Sequence, residues 1–324
     1  MKLLVFGGAG YIGSVVAARL LEAGHDVVVA DNLERGHEEA VPPDARLARV
    51  DLADRDGLAR LLGEGFDGVL HFAALSIVPE SVAEPLLYYR ANVGGSVNLL
   101  EAMRQAEVPR LVFSSTAAVY GEPEEVPITE TAPPRPTNPY GASKLAVDQA
   151  IAFTCAAGGL GAVSLRYFNV AGAYGAYGER HDPETHLIPL VLRAARGELD
   201  AVKIFGTDYP TPDGTAIRDY IHVEDLAEAH LLAIEAAAES QHRVYNLGNG
   251  AGFSVREVIE TAREVTGCRI EALESPRRPG DPPILVASSE RIRSELGWTP
   301  QKPGLSTIVA DAWAWLEQPL PAAV

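Results

Sequence analysis

Tyr140 and Lys144 are the two side chains whose types and spacing point most directly to proton chemistry. They fall in the stretch Asn138-Pro139-Tyr140-Gly141-Ala142-Ser143-Lys144. Asn138 can cap a helix there and Pro139 suits its first turn, so residues 140 and 144 share one helical face. A free phenol titrates near pH ~10. A neighbouring ammonium and the positive end of the helix both favour the phenolate, and with a further positive charge brought by a ligand they could lower the tyrosine far enough to act as a base. Lowering it by about three pH units takes about 4 kcal/mol of preferential interaction. Tyr-x-x-x-Lys also arises by chance on many helices, and the elements around it decide between the two.

Those elements belong to a chain of 324 residues with a formal charge of -17. Its length and apolar content predict one large or two intimately joined globular domains. The negative charge argues against nucleic acid or an anionic membrane as partner. A small anionic ligand held by a few local arginines remains compatible with it. Cys155 and Cys268 are the two cysteines. Without a C-x-x-C spacing they suggest neither a disulfide framework nor a zinc site. The apolar run Leu3 to Phe6 is too short for a signal-peptide core, and no run reaches membrane-spanning length. The cytoplasm is the natural compartment.

Lys2 to Phe6 reads as a buried strand that runs into Gly7-Gly8-Ala9-Gly10-Tyr11-Ile12-Gly13 and then a helix to Ala23. This is a phosphate turn: Gly7 permits the tight bend, Gly10 lets a pyrophosphate approach the backbone, and Gly13 lets helix pack on strand. A second strand, Asp26 to Ala30, ends in Asp31, where a carboxylate would accept from the adenosine ribose of NAD and repel the phosphate of NADP. Arg35 lies near enough to hold such a phosphate, but the carboxylate should dominate. A third strand, Arg46 to Val50, finishes at Asp51-Leu52. Asp51 is placed either to take the adenine amino group or to cap the next helix.

Phe66 to Phe72 reads as the fourth strand, leading into the small residues Ala73 and Ala74, which suit close passage over a cofactor. A helix from about Glu84 to Ala106 carries Asn92, whose plain reading is a surface asparagine. The fifth strand, Arg110 to Phe113, delivers Ser114, Ser115 and Thr116 at its carboxyl end, where open α/β sheets bind ligands. A sixth strand, Ala162 to Arg166, ends in Tyr167-Phe168-Asn169. Beyond it the alternation of strand and helix loosens. The expected fold is therefore α/β: a doubly wound Rossmann-type parallel sheet over residues 1–168 plus about 222–248, with a smaller α/β substrate lobe over 169–221 and 249–324. His186, within Thr185-His186-Leu187-Ile188-Pro189 at the expected start of a helix, is one of eight histidines. None is spaced for a metal, so no metal is expected and His186 reads as a polar pocket wall.

Gly7-x-x-Gly10-x-x-Gly13, Asp31, Ser114-Ser115-Thr116-Ala117-Ala118-Val119-Tyr120-Gly121, Tyr140-x-x-x-Lys144, Tyr167-Phe168-Asn169 and the stretch Ile204 to Val223 together resemble the extended short-chain dehydrogenase/reductase superfamily. Within it they are most similar to the UDP-galactose 4-epimerase family, and the likeness runs over nearly the whole chain. It implies bound NAD and interconversion of UDP-galactose and UDP-glucose. Tyr140 would take the proton of the sugar 4-hydroxyl, Lys144 would tune it and hold the nicotinamide ribose, and Thr116 would bind the same oxygen. It extends the cofactor site to Tyr11, Ile12, Asn32, Leu52, Phe72, Ala73, Ala74, Asn92 and Phe168.

On the substrate side the resemblance gives Arg218 and Arg278 to the diphosphate, which two guanidinium groups can clamp. Asn169 would contact the nucleotide and Asp281 the uridine ribose, with Thr116, Tyr140, His186, Leu187, Phe205, Tyr220 and Leu285 completing the pocket. Carboxylate-paired surface arginines are the plainer alternative for Arg218 and Arg278. Some relatives strict for UDP-glucose carry tyrosine where Leu285 stands, so by this resemblance leucine implies some room for an N-acetyl group. The resemblance also implies a homodimer, with the segments Glu84 to Ala106 and Tyr140 to Ala157 packed across a two-fold axis. A 4,6-dehydratase would need an acid and a base where Ala117 and Ala118 stand. A non-catalytic NAD sensor would need neither Tyr140 nor Lys144.

Overall fold

A computed structural model describes residues 1–278 and 281–318; Pro279 and Gly280, within the second arginine segment, lie outside the described residues. The strands, in order, open with β1 (Lys2–Phe6), β2 (Asp26–Asp31), β3 (Arg46–Arg49), β4 (Gly68–His71), β5 (Arg110–Thr116) and β6 (Gly161–Tyr167). The short strands β7 (Asn169–Ala171), β8 (Val202–Phe205), β9 (Ile217–Arg218) and β10 (Tyr220–His222) precede β11 (His242–Leu247). The first six strands and β11 form one parallel sheet in the order β11-β6-β5-β4-β1-β2-β3. The order reverses between β1 and β4, which leaves a crevice at their carboxyl ends, the place where such sheets bind ligands.

The first eight helices are α1 (Tyr11–Glu22), α2 (Arg55–Leu62), α3 (Val78–Ala83), α4 (Pro85–Tyr88), α5 (Gly95–Gln105), α6 (Pro139–Ala156), α7 (Leu187–Ala195) and α8 (Val223–Ala236), of which α1 and α8 cover one face of the sheet and α2, α5 and α6 the other. Because successive strand residues face opposite ways, Leu3 and Val5 join a core with Val15, Val16 and Leu20 of α1 and Leu226 and Ile234 of α8. Leu4 and Phe6 join the other, with Leu58 of α2, Met103 of α5 and Ile151 of α6. Coverage on both sides is why β1 reads as an unbroken apolar run.

Two expected elements differ. The fourth strand is shorter than Phe66 to Phe72, because its ladder with β1 runs only from Gly68 to His71. The single helix from Glu84 is instead α4, a widened π turn over Tyr89–Gly94, and α5. Pro85, with no N–H to continue the preceding α3, starts the new helix. The π turn rotates Asn92 inward, so the surface reading is corrected: this residue is 2 % exposed.

The remaining elements are β12 (Phe253–Ser254), β13 (Ala272–Ser275), β14 (Ile284–Leu285), α9 (Val255–Thr266), α10 (Glu290–Leu296) and α11 (Leu305–Leu316). They build three small sheets, β10-β7, β12-β9-β14 and β13-β8. A separate core joins Val191 and Leu192 of α7, Val258 and Ile259 of α9, and Ile308 and Val309 of α11. The Ser254–Glu257 capping box opens α9, with Glu257 N donating to Ser254 Oγ at 3.0 Å and Ser254 N to Glu257 Oε2 at 2.7 Å. Among the described residues no helix is long and apolar enough to cross a membrane.

Candidate active site

The start of α6 forms as its sequence demands. Asn138 Oδ1 accepts from Gly141 N at 2.9 Å, and Pro139 occupies the first turn. A Cβ at Gly141 would overlap the carbonyl oxygen of Ala118, so glycine there lets the helix start press against the turn that leaves β5. Thr116 ends β5, and its hydroxyl accepts from Ala118 N at 3.1 Å while facing the Tyr140 phenol. Thr116, Tyr140 and Lys144 thus meet at the carboxyl end of the sheet.

The polypeptide alone does not lower the phenol. Lys144 is 2 % exposed; Nζ donates to the Ser114 carbonyl at 2.9 Å and stands 4.8 Å from the Phe113 ring centre. Burial lowers this ammonium to about 7, and the Asp148 carboxylate offsets part of that. Burial likewise pushes the Tyr140 phenol up from its ordinary value, and the Thr116 hydroxyl pulls it back only in part. Desolvation is the largest cause at both groups.

Beneath this pair lies a buried polar chain that the sequence reading missed. Ser115 Oγ donates to Asp148 Oδ2 at 3.0 Å, and Arg166 reaches the same oxygen with Nε at 3.2 Å and Nη2 at 3.0 Å. Arg166 Nη1 donates to the Tyr120 hydroxyl at 3.0 Å, which donates to Asn246 Oδ1 at 2.7 Å. The chain ties α6 to β5, β6 and β11, and so fixes the helix that carries Tyr140 and Lys144. Its one sequence signal was Asp148, four residues past Lys144 on the same helical face. Asn92 anchors a second support: it donates to Leu75 O and Ser143 Oγ, both at 3.0 Å, and accepts from Leu75 N at 2.9 Å. Its amide therefore orders the loop after β4 rather than pointing outward.

The glycine turn discriminates between packing and ligand space. Gly7 has φ +81°, and a Cβ there would lie 2.5 Å from Ala73 N. At Gly13 it would overlap Gly7 O. At Gly10 it would meet only Gly7 O, at 3.4 Å, so this position opens onto free space at the start of α1. Tyr11, Ile12 and Gly13 occupy the first turn of α1, the position where helix N–H groups lack helical partners and favour an anion. That first turn contains no acidic residue. The Tyr11 hydroxyl donates to Gly172 O at 2.7 Å, leaving its main chain for a ligand. The cradle fits a pyrophosphate. Gly10→Ala is expected to keep the thermal midpoint within the roughly 1 kcal/mol equivalent of an altered cap while weakening NAD retention. Release of nucleotide on gel filtration checks it, and full retention would contradict it.

At the end of β2, Asp31 accepts from Ala9 N at 3.1 Å and Leu33 N at 2.9 Å, so it also holds the glycine turn. Asn32 Nδ2 donates to Asp51 Oδ2 at 2.6 Å, and Asp51 Oδ1 accepts from Ala53 N at 2.6 Å. The cap of α2 is Asp54, not Asp51. Leu52 and Ala73 pack against one sheet core and Phe72 against the other.

The substrate-side candidates are grouped across β7, β8, β9, β10 and β14. Arg218 on β9 pairs with Asp281, and its Nη1 donates to Ile217 O at 2.8 Å. Leu285 on β14 stands opposite Arg218 and packs with Phe168 against Val119 and Tyr120. Asn169 and Tyr220 are strand partners on β7 and β10. The Arg278 guanidinium lies 4.0 Å over the Phe205 ring. Arg277 instead makes the exposed carboxylate pair, with Asp208 at 2.7 Å. His186 precedes Leu187 at the start of α7, with Nδ1 turned to Glu179 and Glu184 at 2.8 and 2.9 Å.

Known proteins share this fold. Residues 3–248 match the model of the NAD dependent epimerase/dehydratase family. The UDP-glucose 4-epimerase of Corynebacterium glutamicum is 58 % identical over 97 % of this chain and 95 % of its own. A crystal structure of the Brucella ovis UDP-glucose 4-epimerase with NAD is 44 % identical, with TM-score 0.93 over 97 % of both chains. The Bifidobacterium longum enzyme, solved with NAD+ and UDP, is 38 % identical, with TM-score 0.92 over 97 % of this chain and 98 % of that one. With its glycine cradle, strand-end hydroxyl and Tyr–Lys helix in place, the chain belongs to the NAD dependent epimerase/dehydratase family.

Proposed function

We infer that the chain interconverts UDP-galactose and UDP-glucose by transient oxidation at sugar C4 and return of hydride to the opposite face. The observation that carries this reading is the convergence of Thr116, Tyr140 and Lys144 beside the cradle opened by Gly10. Tyr140 takes the proton of the 4-hydroxyl at its phenol oxygen and later returns it, while the Thr116 hydroxyl holds the same sugar oxygen. Bound NAD supplies the hydride acceptor and donor and, when oxidised, the positive charge that the buried phenol needs to ionise. Lys144, steadied by Ser114 O, adds to that bias and holds the nicotinamide ribose. No net oxidation results, so the cofactor stays bound.

Residues 1–168 with about 222–248 serve NAD, and 169–221 with 249–324, of which 319–324 lie outside the described residues, serve the UDP-sugar; two separate cores support the division, although Ile292 and Trp298 join the core of the sheet. Arg218 and Arg278 hold the diphosphate, Asn169 the nucleotide and Asp281 the uridine ribose. His186, Leu187, Phe205 and Tyr220 complete the wall. Purified protein given UDP-galactose and no added cofactor is expected to form UDP-glucose, and denaturation to release NAD. No conversion even with NAD added, or release of mainly NADP, would contradict the reading.

Leu285 sets the tolerance at sugar C2. It packs beside Phe168 and Tyr120, leaves more room than tyrosine, and offers no polar partner to an acetamide. An unsatisfied amide costs about 1 to 3 kcal/mol, which lowers kcat/KM for N-acetylated UDP-sugars by roughly 5- to 150-fold. Leu285→Tyr should remove that residual activity. An unchanged ratio of kcat/KM for UDP-galactose and UDP-N-acetylgalactosamine would clear Leu285 of the role.

A homodimer in the cytoplasm is the proposed state. Val82, Leu86 and Phe153 are 62 %, 74 % and 79 % exposed, and they cluster on α3, α4 and α6, around the segments expected to pair across the two-fold axis. Phe153→Asp is expected to shift the sedimenting species from dimer towards monomer; a wild-type monomer would refute the interface. Cell fractionation tests the compartment.

A further inference from the structure

The loop leading into α7 brings four metal-ligating side chains to one point. Glu179, His181, Glu184 and His186 each offer a donor atom, and these atoms all lie within 4.8 Å of one another. Both imidazoles use Nδ1. Glu179 Oε1 is 3.0 Å from that of His181 and 2.8 Å from that of His186. Glu184 places Oε1 2.9 Å from His186 and Oε2 3.8 Å from His181. Ligands about 2.0 to 2.1 Å from a tetrahedral zinc stand about 3.3 to 3.4 Å from each other, inside the span of these separations.

The surroundings favour a cation over a chance cluster. The two glutamate side chains are 7 % and 3 % exposed, so two carboxylates are withdrawn from water side by side. Arg180, between them in sequence, turns away to pair with Glu39 at 2.9 Å. Glu184 is oriented by the main chain, its Oε1 accepting from Thr185 N at 2.7 Å and His186 N at 2.8 Å. The histidines are the open side, at 37 % and 47 % side-chain exposure, and leave an entry path.

We propose that Glu179, His181, Glu184 and His186 form a binding site for a divalent transition ion of the zinc class. Two nitrogens and two carboxylate oxygens suit that ion in charge and hardness. The spacing E-x-H-x-x-E-x-H hides the site from sequence inspection, because a closed loop, not a helix, brings the four together. The ion fastens a loop that already touches the segment after β2, through Arg35 Nη1 to Asp182 O at 3.4 Å and the His37 ring to Arg180 O at 3.0 Å. It therefore links the cofactor side to the start of α7. Ligation at Nδ1 also fixes the His186 tautomer, keeping its Nε2–H as a donor.

Zinc itself is the probe. Chelator-stripped protein, given excess zinc and gel-filtered, is expected to retain one zinc per chain and to gain in thermal midpoint. Cobalt(II) in its place should give the strong visible bands of a tetrahedral centre. His181→Ala and Glu179→Gln should each lose at least the about 10- to 100-fold in affinity that even an outer-shell change costs. His25→Ala, remote from the loop, should retain the ion. Wild type retaining no more zinc than the double variant His181→Ala/Glu179→Gln, or cobalt showing only the weak spectrum of the hydrated ion, overturns the proposal. The cobalt result needs no variant to fold.

Discussion

Tyr140→Phe is expected to lower turnover about a thousandfold, the middle of the range for a positioned general base, while UDP-sugar affinity stays nearly intact. The ring remains, so packing at the start of α6 remains. Thr116 can share a hydrogen bond with the sugar oxygen but cannot hold its proton at neutral pH, and Lys144 is engaged with Ser114 O. Arg218 and Arg278, proposed to hold the diphosphate, stand on β9 and over the Phe205 ring, on segments other than α6. Stability should not fall either, since burial disfavours the ionised phenol and phenylalanine avoids burying a hydroxyl. Rate and affinity must both be measured. Activity within about tenfold of wild type would remove Tyr140 from the role of base.

Lys144→Met is expected to cost activity by at least about a hundredfold and yet to raise stability by up to a few kcal/mol. An ammonium held almost out of water is destabilising, which is why burial lowers it to about 7. The sign of the pH dependence follows. Between about 7 and the unfolded value near ~10.4, the unfolded chain binds a proton at Lys144 that the folded chain does not, so wild-type stability rises with pH across that window. The advantage of Lys144→Met is thus full below pH about 7 and shrinks above it. Denaturant midpoints at pH 6 and at about 10 test this, together with the rate. A variant that is less stable at both values would make Lys144 a structural residue, one whose bond to Ser114 O outweighs its desolvation.

The parts of the site legible in the sequence are those that one short segment determines. Gly7, Gly10 and Gly13 answer to the geometry of a single turn, Asp31 to the end of a single strand, and Tyr140 and Lys144 to a single helical repeat. The central sheet was legible for a related reason: buried parallel strands read as apolar runs, and their ends carry polar residues. What escaped needed contacts between distant segments. The Asp148–Arg166–Tyr120–Asn246 chain joins four elements, so only the first of its members left a trace, at helical spacing from Lys144. Asn92 turned inward because of a π turn that no propensity signals. Burial, which holds the Tyr140 phenol up in the polypeptide alone, is a property of the assembled fold, and a Tyr–Lys spacing says nothing about it. The glutamate–histidine loop was missed because its closure, not its spacing, sets the geometry.

Transient oxidation at C4 has a direct isotopic signature. UDP-galactose carrying deuterium at C4, incubated with the purified protein in ordinary water and no added NAD, should give UDP-glucose with the deuterium still at C4. Retention is required because the hydrogen leaves as hydride, stays sequestered within one active site, and returns to the same carbon on the opposite face. Product with ordinary hydrogen at C4 would mean exchange with water through proton abstraction at carbon, and would contradict the oxidation–reduction route and the role given to Tyr140 as a base toward oxygen.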